Sequence, residues 1–61
     1  MTIGTARKLA RIIKNLDFLN LELGGGFSET RNWMFRELDK GGYQLEFSSY
    51  RVERKQKKGT Q

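Results

Sequence analysis

Three cationic side chains near the start of the sequence, Arg7, Arg11 and Lys14, recur at intervals of four and three residues. On an α-helix this spacing places them in one line along a single face. Guanidinium and ammonium groups are the donors that proteins use for phosphate oxygens. The pattern therefore indicates a phosphate-binding face. Two alternatives remain: a solvated face opposite a buried one, and a helix that lies on a membrane surface.

A second group of cations lies at the other end of the chain. Residues 47–61 carry five basic side chains and one acid, whereas residues 15–46 carry three basic side chains and six acids. If the two basic ends meet in the fold, they form one positive surface that attracts nucleic acid or anionic lipid. The predicted nucleic-acid-binding residues are Arg7, Arg11, Lys14, Arg31, Arg51, Arg54, Lys55, Lys57 and Lys58.

Catalytic chemistry has few candidates in this sequence. The chain contains no histidine and no cysteine, so the usual bases, nucleophiles and transition-metal ligands are missing. Glu37 and Asp39 are two residues apart, and on a helix they do not face each other. The glycine run at 24–26 lacks the Lys-Ser/Thr of a P-loop and is interpreted as a connector. We expect no catalytic residues, no metal site and no cofactor, and hence no enzymatic activity.

The length of 61 residues allows one small domain. A chain of this size buries only about 60% of the surface that it exposes when unfolded, and small scaffolds usually add a disulfide, a metal or a partner chain. With no cysteine or histidine, self-association is the remaining route, so we expect a homodimer. Residues 1–54 are predicted to form the domain and residues 55–61 a basic disordered tail.

The distribution of apolar residues favours a cytoplasmic protein. No apolar run approaches the ~18–20 residues of a membrane span. Basic residues are interleaved with the apolar residues of the N-terminal segment, whereas a signal peptide places a continuous apolar segment after its basic one. We therefore expect no membrane partner.

The first element is predicted to be an amphipathic helix. Thr5 is a candidate N-cap, and the helix is expected to end near Leu16 or Asp17. Its buried face is expected to consist of Ala6, Leu9, Ile12, Ile13 and Leu16, opposite the basic residues. Beyond this point the residues LNLEL (19–23) alternate, which predicts a short strand, with a continuation of the helix as the alternative.

A second helix is predicted over residues 29–40. Ser28 is its expected N-cap, and Gly41 or Gly42 its left-handed C-cap. Met34 and Leu38 are expected to be buried and to be flanked by aromatic residues. The arc between those two aromatic rings is wider than one neighbour covers, so one ring is expected to face a partner. The predicted partner-binding residues are Trp33, Phe35 and Tyr50.

The last element is predicted to be a β-hairpin. Tyr43, Leu45 and Phe47 alternate with polar residues, and the parity then changes, because Tyr50 and Val52 are even-numbered. A two-residue turn at 48–49 explains the change: it pairs residues 47 with 50, 45 with 52, and 46 with 51. One bulged strand is the alternative. The predicted fold is therefore α+β, in the order helix, strand or helix extension, helix, hairpin.

Residues 28–54, SETRNWMFRELDKGGYQLEFSSYRVER, resemble the second half of a winged helix-turn-helix domain. FRELDKGGY matches the end of a recognition helix and its turn, and QLEFSSYRVER matches the wing. The resemblance implies that Thr30, Arg31 and Asn32 approach the major groove and that the cations of the wing, Arg51 and Arg54, contact phosphates. Where that family has a short preceding helix, this chain has LNLELGGG.

These patterns together predict a small basic, regulatory nucleic-acid-binding module, with DNA as the expected ligand, that acts mainly through phosphate contacts. The alternative is a protein-interaction module of the phage type, an inhibitor or adaptor that docks on a larger host protein through its aromatic and sheet surface.

Overall fold

A computed structural model describes residues 1–55, which form two helices followed by a two-stranded antiparallel hairpin. The helices are α1 (Ile3–Leu23) and α2 (Ser28–Lys40), and the strands are β1 (Tyr43–Glu46) and β2 (Arg51–Arg54). The α+β class is confirmed.

Helix α1 is longer at both ends than the sequence predicts. Thr2, not Thr5, is the N-cap, and its hydroxyl accepts a hydrogen bond from the Thr5 amide at 3.2 Å. The helix runs to Leu23 and ends at Gly24, whose φ of 81° is left-handed. The strand predicted at residues 19–23 and the helix end predicted near Leu16 are therefore wrong, and the helix extension is confirmed. Leucine forms helices well, and the glycine supplies the stop.

The buried face of α1 is rotated relative to the predicted one. Ala6, Ala10 and Ile13 are buried, whereas Ile12 is 41% exposed. The prediction that Ile12 belongs to the core is wrong. Alanines at positions 6 and 10 have short side chains, and they allow the neighbouring elements to pack close to this face. The face of α1 that points away from the hairpin, which includes Ile12, is exposed.

The boundaries of helix α2 differ in detail from the predicted ones at both ends. Ser28 is its first residue rather than its cap, and the Phe27 amide before it donates to Asn20 Oδ1 at 2.9 Å. At the other end Gly41 is right-handed, and Gly42, with φ of 90°, makes the left-handed turn into β1. Leu38 is buried, and Trp33 remains 53% exposed.

The hairpin has the predicted register. Leu45 pairs with Val52 and Glu46 with Arg51, so the alternative of one bulged strand is wrong. The predicted cross-strand contact beyond them is an edge-to-face packing of Phe47 and Tyr50, with ring centroids 6.0 Å apart.

One sheet face covers both helices and completes the core. The buried apolar residues are Ala6, Ala10, Ile13, Leu38, Tyr43 and Leu45. Where the winged helix-turn-helix family has a short separate helix, residues 19–23 of this chain are the end of α1. This arrangement brings one side of α1 against β2.

Candidate nucleic-acid interface

A groove of about 400 Å³ separates α1 from the end of the hairpin. The side chains of Arg7, Arg11 and Lys14 line it on the helix side, and Arg51 lines it on the hairpin side. Ala10, Ser49, Tyr50 and Val52 complete its lining. We call this feature the basic groove. Of the predicted cations at the C-terminal end, Arg51 is the one that meets the cations of α1 in this groove among the residues that the structure describes.

The helix side of the groove follows from the spacing of its cations. Arg7, Arg11 and Lys14 lie at i, i+4 and i+7, which places them on one face, and they span about 10 Å along the helix axis. All three side chains are exposed. Buried Ala10 is small enough to form a floor between the cations and the hairpin.

The hairpin side is fixed to the helices by the Asp17 carboxylate. The Tyr50 hydroxyl donates to Asp17 Oδ2 at 2.7 Å, and Arg31 Nε of α2 donates to Asp17 Oδ1 at 2.9 Å. Each oxygen of one carboxylate thus holds a different element. Arg51 follows Tyr50 directly, so the Tyr50 hydrogen bond also determines where the Arg51 side chain starts.

Tyr50 adopts a conformation that is unusual for its type. Its φ of 56° is left-handed, which costs about 1 kcal/mol or more for a non-glycine residue. The hydrogen bond to Asp17 offsets this cost. That hydrogen bond, then burial and the negative charge of Asp17, raise the pKa of the Tyr50 phenol above its ordinary value of 10.0, and the charge of Arg31 opposes the shift.

The groove is electropositive because no carboxylate lines it among the residues that the structure describes. Asp17 lies beside it, but Arg31 and Tyr50 already occupy both of its oxygens. Glu53 approaches Arg51 at 3.7 Å, and both side chains are mostly or partly exposed. An exposed pair of this length contributes little and leaves Arg51 available to an external anion.

Phe18 extends the cationic line of α1 and was not among the predicted site residues. It follows Lys14 by four residues, so it lies on the same face as Arg7, Arg11 and Lys14, and it is 48% exposed. In the sequence its position among the basic residues suggested that the helix ends before it. The helix in fact continues, and the same spacing places an exposed aromatic ring one helical turn beyond Lys14, which lines the groove.

The other predicted cations are placed elsewhere. Arg31 is partly buried, paired with Asp17, and its guanidinium lies 4.8 Å from the Phe47 ring centroid. Arg54 lies 5.7 Å from the Tyr43 ring centroid, and Lys55 forms an ion pair with Asp39. Neither lines the groove. Lys57 and Lys58 lie outside the described residues.

The predicted partner-binding aromatics are also divided. Phe35 is half-buried and packs on Phe47 with ring centroids 5.6 Å apart, and Tyr50 is held by Asp17. Trp33 is the exposed residue of the three. It lies in a shallow surface pocket with Glu29, Thr30 and Arg36 and shares no lining residue with the basic groove.

Other kinds of site find no support in residues 1–55. No cluster of carboxylates there could hold a metal ion, and neither helix is long and apolar enough to cross a membrane. Comparison of the chain with known protein families, with characterised proteins and with solved structures finds no significant match.

Proposed function

We propose that the chain binds nucleic acid, as a small regulatory module, through phosphate contacts in the basic groove. The observation that carries the proposal is the convergence of Arg7, Arg11, Lys14 and Arg51 on one groove, from two elements distant in sequence. No carboxylate lines this groove within residues 1–55. A solvated face needs no such convergence. Cations held in a line on a rigid helix suit a phosphate backbone, whose charges repeat along the strand.

Phe18 favours a ligand with unpaired bases. An exposed aromatic ring at the end of a line of cations can stack on a base while the cations hold the flanking phosphates. Phosphate contacts alone do not distinguish DNA from RNA, so the ligands tested include duplex DNA, single-stranded DNA and single-stranded RNA.

The first test reverses one charge inside the groove and one outside it. Arg11→Glu is expected to weaken binding about tenfold or more, because it removes a phosphate contact and adds repulsion. Arg36→Glu, an exposed substitution on α2 with the same change in net charge, is expected to have a much smaller effect. Fluorescence anisotropy of labelled oligonucleotides measures both affinities.

Salt dependence provides the second readout of the same experiment. Four phosphate contacts predict that log K falls against log salt concentration with a slope of about −3.6 for duplex and about −2.8 for single strands. Absence of binding to all three ligands at about 50 mM salt would refute the proposal. Equal losses for Arg11→Glu and Arg36→Glu would show that net charge, and not the groove, determines affinity.

A second candidate function is docking on a larger protein, and the exposure of Trp33 favours it. A half-exposed tryptophan on a helix is typical of interface anchors. Trp33 is also the single tryptophan of the chain, so its fluorescence reports on this surface alone.

The two candidates differ in what they do to the fluorescence of Trp33. Saturating nucleic acid is expected to leave its emission maximum unchanged, because the groove and the Trp33 pocket share no residue. Trp33→Ala is likewise expected to leave oligonucleotide affinity unchanged. A blue shift of Trp33 on addition of oligonucleotide, or a loss of affinity in Trp33→Ala, would place the ligand on the α2 surface instead.

A further inference from the structure

Helix α1 has a second, apolar line on its surface, which we call the α1 seam: Leu9, Ile12, Leu16, Leu19 and Leu23. The intervals alternate between three and four residues, which is the spacing of the contact positions in packed helix pairs. Ile12, Leu19 and Leu23 are 41%, 36% and 66% exposed; Leu16 is partly buried, and Leu9 is partly buried and packs against the core. Apolar side chains in this arrangement favour burial against another helix.

The seam is separate from the basic groove. Around the axis of α1, the seam residues lie roughly 150° from the line of Arg7, Arg11 and Lys14. A helix packed on the seam therefore leaves the groove open.

Charged and polar residues flank the seam at a fixed interval. Lys8, Asn15 and Glu22 lie seven residues apart along its outer edge, and all three are exposed. Within residues 1–55 neither Lys8 nor Glu22 takes part in an ion pair. The edge is therefore basic at one end, neutral in the middle and acidic at the other end.

We propose that a second copy of the chain occupies this seam, with the two α1 helices antiparallel. A two-fold axis level with residue 14 pairs Leu9 with Leu19 and Ile12 with Leu16 of the second copy. In this register the backbones of Lys8 of one copy and Glu22 of the other are only about 3 Å apart along the helix axis, a distance that their side chains span. The charge pattern and the apolar pattern thus select one arrangement.

A parallel pair does not use these charges. In parallel helices this outer edge faces the inner edge of the partner helix, where this chain has Ile13 and Asn20. Lys8 would face an apolar position and Glu22 would find no cation. The antiparallel arrangement satisfies two Lys8–Glu22 pairs in each dimer, which is why the structure favours it.

Exchange of the charges tests the register. Sedimentation velocity over a concentration series is expected to show the 7.1 kDa chain passing into a species of twice that mass. Lys8→Glu and Glu22→Lys are each expected to weaken dimerisation about tenfold, because each turns two attractive pairs into repulsive ones. The double exchange restores both pairs and is expected to restore dimerisation to within about threefold.

Several outcomes of this experiment would overturn the proposal. They are a monomer at every concentration, single exchanges without effect, and a double exchange as weak as the single ones. Both positions are exposed, so folding is expected to survive, and circular dichroism checks this for each variant.

An apolar substitution with a matched control tests the seam itself. Leu19→Glu is expected to abolish dimerisation, because it buries a carboxylate against Leu9 of the second copy. Leu21→Glu is the control: Leu21 is 80% exposed but lies off the seam, so its dimer is expected to match the wild type. Equal effects of the two substitutions would refute the assignment of this face.

Spin labels distinguish the two orientations directly. The chain has no cysteine, so Arg7→Cys and Lys14→Cys each give a single labelled site, and both sites are exposed, lie off the seam and leave Lys8 and Glu22 in place. In the antiparallel dimer the two labels at position 7 lie about 21 Å apart along the helix axis, whereas the two labels at position 14 lie at nearly the same height. Double electron–electron resonance is expected to give a longer distance at position 7. Equal distances at the two sites would indicate parallel helices and refute the proposal.

Discussion

At the scale of single residues, Asp17 determines how the groove is assembled. Its two carboxylate oxygens bind Arg31 of α2 and Tyr50 of the hairpin loop, while its backbone belongs to α1. The same contacts neutralise the carboxylate, which would otherwise compete with phosphate for the neighbouring cations. One acidic residue therefore both positions the hairpin and leaves the groove positive.

Tyr50→Phe tests this contact through its pH dependence. The folded-state pKa of Tyr50 is raised above 10.0, so its contribution to stability is complete below pH 10 and is lost as pH rises through the folded-state value. Wild type is expected to be about 1 kcal/mol more stable than Tyr50→Phe at neutral pH, because the variant lacks one hydrogen bond to a carboxylate. Urea denaturation of both proteins at several pH values measures the difference.

The test compares the free energy of unfolding of the wild type with that of Tyr50→Phe at each pH. Lysine side chains also titrate in alkaline solution, but they are common to both proteins and cancel in the comparison. We expect a constant difference from neutral pH to about pH 10 and a decreasing one above it. A difference that grows with pH would contradict the role given to the hydrogen bond.

At the scale of elements, the hairpin was the part most open to prediction from sequence. A two-residue turn explains the change of parity between Phe47 and Tyr50 with one register, and the cross-strand pairs have that register. What the pattern could not show is the conformation of the loop. Ser48 and Ser49 resemble a tight turn, yet the left-handed residue is Tyr50, whose hydroxyl donates to distant Asp17.

Helix α1 shows the opposite case, in which a local pattern was misleading. Five alternating residues at 19–23 match a strand, but so short a run also fits a helix that carries leucines on two faces. Among the residues that the structure describes, the sheet contains β1 and β2 alone, and residues 19–23 do not join it. The helical preference of leucine instead continues α1 through this segment, and Gly24 ends the helix.

The candidate site was predictable in part for the same reason. Helical spacing alone is enough to align Arg7, Arg11 and Lys14. Whether a cation from another element also lines the groove depends on which carboxylate or aromatic ring lies beside that cation in the fold. Arg51 reaches the groove, whereas Asp17 and Phe47 engage Arg31, and Asp39 engages Lys55. Such pairings join residues far apart in sequence, and composition does not reveal them.

At the scale of the whole molecule, the two proposals combine into a bivalent arrangement. The basic groove and the α1 seam lie on different sides of one helix, so a dimer formed through the seam carries two open grooves. A strand long enough to reach both grooves gains effective concentration for the second contact, which raises its affinity without any new interaction. A strand that fills one groove gains nothing.

Glu22→Lys separates this effect from simple charge attraction. The substitution makes the chain more positive, so attraction alone would tighten binding to every oligonucleotide. It also breaks both Lys8–Glu22 pairs of the dimer. We therefore expect unchanged or tighter binding to a strand of about 6 nucleotides, and about tenfold weaker binding to one of about 30 nucleotides. Both affinities are measured by anisotropy titrations at a protein concentration that keeps the wild type dimeric. The double variant Lys8→Glu/Glu22→Lys retains the net charge of the wild type and is expected to recover the affinity for the long strand. Tighter binding of Glu22→Lys to both strands would show that each groove acts alone.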